Sequence, residues 1–183
     1  FSLDQLNNFL SMDLEQIPDL PELGDLPGGN YRFVIKKAET RNFGKDGEPT
    51  LMGIGITLEV LRCFTIDTQE NSDLSEDAKE TERNAQIGGM MFRRYAGEKG
   101  MSLFKKELGQ VMVSMGETKL TSFLEKAEGL EIDAMISARP DKTKTRQDGS
   151  PVVWVNIEVA DLAAEVPLDH WKQWAILSTL LFA

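Results

Sequence analysis

The chain has 183 residues, 41% of them hydrophobic, which suits one domain with extensions and a real core. No apolar run reaches the roughly 18–20 residues of a membrane helix, and the acidic N-terminus lacks the basic start of a signal peptide. The single cysteine, Cys63, excludes an intrachain disulfide and is consistent with a reducing compartment. A net charge of −10 argues against a polyanion ligand only until its distribution is read. Residues 1–30 carry six acids and no Lys or Arg, and residues 65–82 carry seven acids and one Lys. Those two segments hold −12 together and leave about +2 for the rest; local charge, not the total, sets a polyanion-binding surface.

Residues 1–30 open with a short helical pattern (Leu3, Leu6, Phe9, Leu10). They continue as an acidic, Pro-rich lead through Pro18, Pro21 and Pro27 to Gly28-Gly29, which reads as an extended arm. The domain then spans 31–162. Tyr31 to Thr40 alternates as a first strand, with Tyr31, Phe33 and Ile35 on one face. Leu51 to Phe64 forms a long second strand, in which Gly53 and Gly55 predict a bulge or bend. Residues 67–84 are acidic and aperiodic and read as a flexible loop. Gln86 to Tyr95 gives a third strand. The period then changes: Met101, Phe104, Leu108, Val111, Met112 and Met115 recur at helical spacing, with Ser102 as the expected cap. A shorter helical pattern over Leu120, Phe123, Leu124 and Ala127 is stopped by Gly129. Glu131 to Arg139 and Val152 to Asp161 complete five strands. Residues 163–183, with Trp171, Trp174, Leu177, Leu180 and Leu181, form an apolar extension suited to packing on the barrel or on a second copy.

Two similar turn segments stand out, about a hundred residues apart. The first is Arg41-Asn42-Phe43-Gly44-Lys45-Asp46-Gly47-Glu48-Pro49; the second runs from Lys142 through Lys144 and Arg146 to Asp148-Gly149-Ser150-Pro151. Each sets basic residues before an Asp-Gly-x-Pro turn, and Asp-Gly favours turns that need positive φ. The order β-β-β-α-β-β, with a helix between the third and fourth strands, is the chain order of the OB-fold, a five-stranded Greek-key barrel. Both Asp-Gly arms fall in the loops that flank that fold's binding face.

Catalytic constellations are poor. One Cys and one His (His170) do not make a zinc site of the usual kind, and Asp67–Asp73 matches no register of a calcium loop. There is no phosphate-binding G-x-x-x-x-G-K-[ST] run and no G-x-S-x-G elbow. Neither enzyme activity, nor a metal, nor a cofactor is expected. Single-strand binding, by contrast, needs cations that track phosphates and aromatic faces for bases. The first arm supplies Lys36, Lys37, Arg41 and Lys45 with Phe43 among them. The second supplies Arg139, Lys142, Lys144 and Arg146, followed by Trp154. The third strand supplies Arg93, Arg94 and Tyr95. Tyr31, Phe33, Phe92, Phe104 and Phe123 are assigned to the core. Phe43 and Trp154 are divided evenly between a binding role and a bland one, and Lys and Arg in hairpins also serve solubility and edge protection.

Leu26-Pro27-Gly28-Gly29-Asn30-Tyr31, Ile35-Lys36-Lys37-Ala38-Glu39, Asp46-Gly47-Glu48-Pro49 and Leu58-Glu59-Val60 together resemble the start of bacteriophage single-stranded-DNA-binding proteins of the OB-fold family. The layout is similar over 26–161, with specific residues matching in the first third. The resemblance implies non-catalytic coating of single-stranded DNA during phage replication or recombination, in the cytoplasm of a bacterial host. It also implies replication or recombination proteins as partners. Many such proteins end in a flexible acidic tail, whereas residues Trp171 to Ala183 are apolar. The alternative reading is a protein-interaction or virion structural module on a β-barrel.

Overall fold

Alternation along the first strand sets the core. In the computed structural model, which describes residues 25–164, β1 (Gly29–Asn42) points Tyr31, Phe33 and Ile35 inward, all fully buried. The helical pattern near the N-terminus and all but the first two residues of the apolar extension lie outside the described residues. The strands β2 (Met52–Ile66), β3 (Met90–Ala96), β4 (Glu131–Thr145) and β5 (Pro151–Leu162) complete an antiparallel five-stranded sheet in the order β3-β2-β1-β4-β5. Among the described residues no ladder joins β3 to β5, so the sheet is open and a closed Greek-key barrel is not formed by strand pairing.

The β1–β2 register slips at three places and leaves Lys36, Leu61 and Phe64 without partners. Each slip shifts the side-chain phase by one residue and bends the strands. The inward set of β2 accordingly runs Ile54, Ile56, Leu58, Val60 and then Cys63 and Ile66. The bulge expected at Gly53 and Gly55 is therefore elsewhere. Those glycines sit in regular ladder opposite Ala96 and Arg94 of β3. They are small because β3 lies close: a Cβ on Gly53 would meet the Tyr95 carbonyl oxygen at 2.4 Å, and one on Gly55 the Phe92 ring at 3.1 Å.

Among the described residues there are three α-helices: α1 (Glu76–Ala85), α2 (Gly97–Ser114) and α3 (Leu120–Ala127). Helix α1 corrects the expected loop over 67–84, which begins instead with a 3₁₀ turn at Asp67–Gln69. It has no apolar stripe and buries no residue. Its ends stabilise it: Ser75 accepts from the Ala78 N–H, Glu76 and Asp77 occupy the first turn, and Arg83 the last. Helix α2 starts earlier than Ser102, which lies inside it and donates to the Glu98 carbonyl. Gly97, at φ +66°, turns the chain out of β3, and Gly100 lets the first helical turn press on the Tyr95 backbone. Gly129, at φ +82°, follows α3 as expected.

Helix α2 buries Phe104, Leu108 and Val111, and α3 buries Phe123 and Ala127. Tyr95, Phe104 and Phe123 make successive edge-to-face contacts with centroids 5.3 and 5.6 Å apart. In the middle of this apolar layer lies one carboxylate, Glu107, 1% exposed. Its Oε2 accepts from the Tyr95 hydroxyl at 2.6 Å and from Arg93 Nε at 3.1 Å, while Oε1 pairs with Arg93 Nη2. Arg93 Nη1 then donates to the Val155 carbonyl at 2.7 Å. One guanidinium thus links helix α2 and edge strand β3 to the opposite edge, β5.

Replacing Glu107 with Ala leaves the Tyr95 phenol without its acceptor and the Arg93 guanidinium without its counter-charge inside the core. The expected loss is about 3–5 kcal/mol of unfolding free energy, read as a lowered urea midpoint. An unchanged midpoint would contradict the assignment.

Candidate nucleic-acid interface

The face of the β1–β2–β3 sheet away from the core is built in three rows. Glu39 and Arg41 of β1 lie opposite Gly55 and Gly53 of β2, which lie opposite Arg94 and Ala96 of β3. The middle row has no side chains. Both glycines are buried under their neighbours: the Phe92 ring rests over Gly55 beside the Arg41 methylenes, and Arg94 stands opposite Gly55 on β3.

The two arms differ in detail. In the first, Lys45–Glu48 close a turn through the Glu48 N–H and Lys45 carbonyl at 3.0 Å, with Gly47 third at φ +84°. Asn42 Oδ1 accepts from the N–H groups of Gly44 and Leu51, both at 2.9 Å, and fixes the loop base. In the second, the turn is Arg146–Gly149, and Gly149 is last rather than third, at φ +83°. Its ladder pairs Pro140 with Val153 and resumes at Thr145 with Pro151. Residues 141–144 therefore bow out opposite Val152, and this bow carries Lys142 and Lys144. The β1–β4 ladder joins Gly29–Val34 to Ile136–Glu131, so the two turns lie beyond its opposite ends. The arms bracket that ladder rather than meet at one corner.

Each arm holds an aromatic ring against a cation. Arg94 lies over the Phe43 ring, 4.7 Å from its centroid, and Lys144 over the Trp154 ring at 5.2 Å. Among the described residues neither cation forms a salt bridge, though Lys144 lies near enough to Asp141 to favour its ionised form. Trp154 is half exposed, opposite Arg139, and its indole N–H donates to Asp141 Oδ2 at 2.9 Å. Hydrogen bonds from the Thr143 hydroxyl, the Trp154 indole and the Thr143 backbone hold the Asp141 carboxyl well below the usual carboxylate range.

The remaining cations divide. Lys45, Arg139 and Lys142 are exposed and carry no salt bridge among the described residues. Lys36 pairs with Glu59 at 3.0 Å, and Lys37 and Arg41 share Glu39 at 2.8 and 3.1 Å. Arg146 pairs with Asp25, at the first described residues of the acidic lead. Exposed pairs of this kind contribute little and exchange readily for a phosphate.

Two candidates are corrected. Tyr95 offers no ring to a base: it is fully buried, and its hydroxyl is committed to Glu107. Arg93 is likewise held by Glu107 and Val155, with 14% of its side chain exposed. The third strand has the opposite phase to the one expected. Met91 and Tyr95 face the core, and Phe92, assigned to the core, is 49% exposed. Sequence reasoning also missed Asp141, whose spacing two residues before Thr143 is the usual signature of an Asx turn.

No protein-family model matches the chain, and no curated protein is similar to it. Among the described residues no group of three or more His, Cys, Asp or Glu side chains is placed to hold a metal ion, and no helix is long and apolar enough to cross a membrane.

The depressed Asp141 pKa gives a pH signature. A carboxylate held low in the folded state contributes above its unfolded value, and that contribution is lost as pH falls through the folded value. With Trp171 and Trp174 replaced by Phe, Trp154 emission should stay constant as pH falls through the ordinary aspartate range near 3.9 and change only below it. Asp141→Ala should show the changed emission already at neutral pH.

Proposed function

We propose that this sheet is the open form of an OB-type barrel and that its outer face binds single-stranded DNA without catalysing a reaction. The observation that carries the reading is the pairing, on each arm, of an aromatic ring with a cation that forms no salt bridge among the described residues: Phe43 with Arg94, and Trp154 with Lys144. A base stacks on a ring of either kind and the adjacent cation meets its phosphate, which is the recognition single strands require. The strand order, the helices between β3 and β4, and the contact between edges β3 and β5 support the OB-type assignment. With the turns beyond opposite ends of the β1–β4 ladder, the strand runs from one arm to the other. Lys45, Arg139 and Lys142 add phosphate contacts, and Lys36, Lys37, Arg41 and Arg146 do so on exchanging their carboxylates. The resemblance of residues 26–60 to phage single-strand-binding proteins supports a role in phage replication or recombination, in the cytoplasm of a bacterial host, as part of this proposal.

A polarisation titration with labelled oligo-dT at several salt concentrations tests this. Affinity should fall steeply with salt and exceed that for the matching duplex. Arg94→Ala and Lys144→Ala should each flatten the log–log salt slope by about 0.7, the increment for one phosphate contact on a single strand. No binding at low salt, or binding indifferent to salt, would sink the proposal.

A further inference from the structure

Edge strands β3 and β5 leave between them a cleft of about 280 Å³, lined by Phe92 of β3 and Trp154 of β5 among others. We propose that this cleft is a slot for one unstacked nucleobase, held between the Phe92 and Trp154 rings. The inference rests on the single-strand reading above and adds to it a discrete base-binding subsite with Phe92 as its second ring.

Exposure is the first argument. Tyr31, Phe33 and Tyr95 bury their rings completely, whereas Phe92 and Trp154 remain 49% and 50% exposed. A phenylalanine left half exposed forgoes much of the stabilisation of full burial. Both rings are nonetheless fixed. Phe92 lies on Gly55, where a Cβ would stand 3.1 Å from two of its ring atoms. Trp154 is tied through its indole N–H to Asp141, itself anchored by Thr143. Two positioned rings lining one cleft lose little conformational freedom when a flat ligand enters.

Size and polarity choose the ligand. At about 280 Å³ the cleft falls just below the range for drug-sized ligands, about 300–1,000 Å³, which suits one heterocycle and not a base pair. Arg93 and Asp25 also line it, so an alkyl chain finds charged groups where it needs apolar ones. The facing edges of β3 and β5 have no ladder between them and offer main-chain donors and acceptors of the kind a base edge requires. Cations stand on both sides, Arg41 and Arg94 near Phe92 and Arg139 and Lys144 near Trp154, where the flanking phosphates of an inserted nucleotide would lie.

The test compares an intact oligo-dT with the same oligomer carrying consecutive abasic sites, using the full chain with Trp171 and Trp174 replaced by Phe. Intact DNA should quench Trp154 and abasic DNA should not. Phe92→Ala should weaken intact binding about 5- to 150-fold, the loss of one stacked base, and leave abasic binding and the salt slope unchanged. Phe92→Leu, which keeps apolar bulk without a π face, should behave like Phe92→Ala, and both should melt near the parent temperature. Equal affinities of parent and Phe92→Ala for intact DNA, equal losses on intact and abasic DNA, or quenching by abasic DNA would overturn the slot while leaving single-strand binding in place. Failure of the parent to bind any single strand would overturn both.

Discussion

Glu107 ties together parts of the chain that strand pairing leaves separate. Its carboxylate, on a helix inside the core, holds Tyr95 in the apolar layer and the Arg93 guanidinium in the gap between the edge strands. Because Arg93 also reaches the Val155 carbonyl, the spacing between β3 and β5 depends on a side chain rather than on a ladder. A ladder there would pair every edge N–H and C=O and close the cleft. A single guanidinium bridges the gap at one point and leaves the edge open on either side of it. Such a buried pair contributes little net stability compared with apolar packing, but it tolerates few alternative arrangements.

The same network explains the outer face. Once Tyr95 and Met91 are committed inward, strand alternation sends Phe92 and Arg94 outward. They meet the glycines of β2, so the outward side chains of β3 have a floor of backbone instead of competing side chains. Arg94 is then free to reach Phe43 of the first arm. Glu107, Tyr95, Arg94 and Phe43 thus form a chain from a helix carboxylate to an exposed ring–cation pair.

Much of this was legible in the residues alone. The alternation at Tyr31, Phe33 and Ile35 fixed the inner face of β1, the stripe through Phe104, Leu108 and Val111 fixed the long helix, and the Asp-Gly pairs marked both hairpin tips. The phase of β3 was not legible, because Met-Met-Phe-Arg-Arg-Tyr places an aromatic residue in either phase. What decides it are partners far along the chain, Glu107 and Gly55. Helix α1 escaped for the opposite reason: its stabilising signals lie in its caps and charges, and an apolar period has nothing to detect there. Ser102 failed as a cap because Gly97 and Gly100 allow the helix to start a turn earlier than any L-residue would at +66°.

The bow at residues 141–144 has a mechanical consequence. Those residues lie outside the ladder that holds their neighbours, while Trp154 stays in register opposite Arg139. Segments without ladder hydrogen bonds open at low free energy, independently of the core. The second arm therefore joins a compliant strip bearing two lysines to a stiff strip bearing an indole. Because Asp141, which holds the Trp154 indole N–H, lies in that same strip, a shift of the bow moves the two lysines and re-aims the ring together, without loosening the sheet.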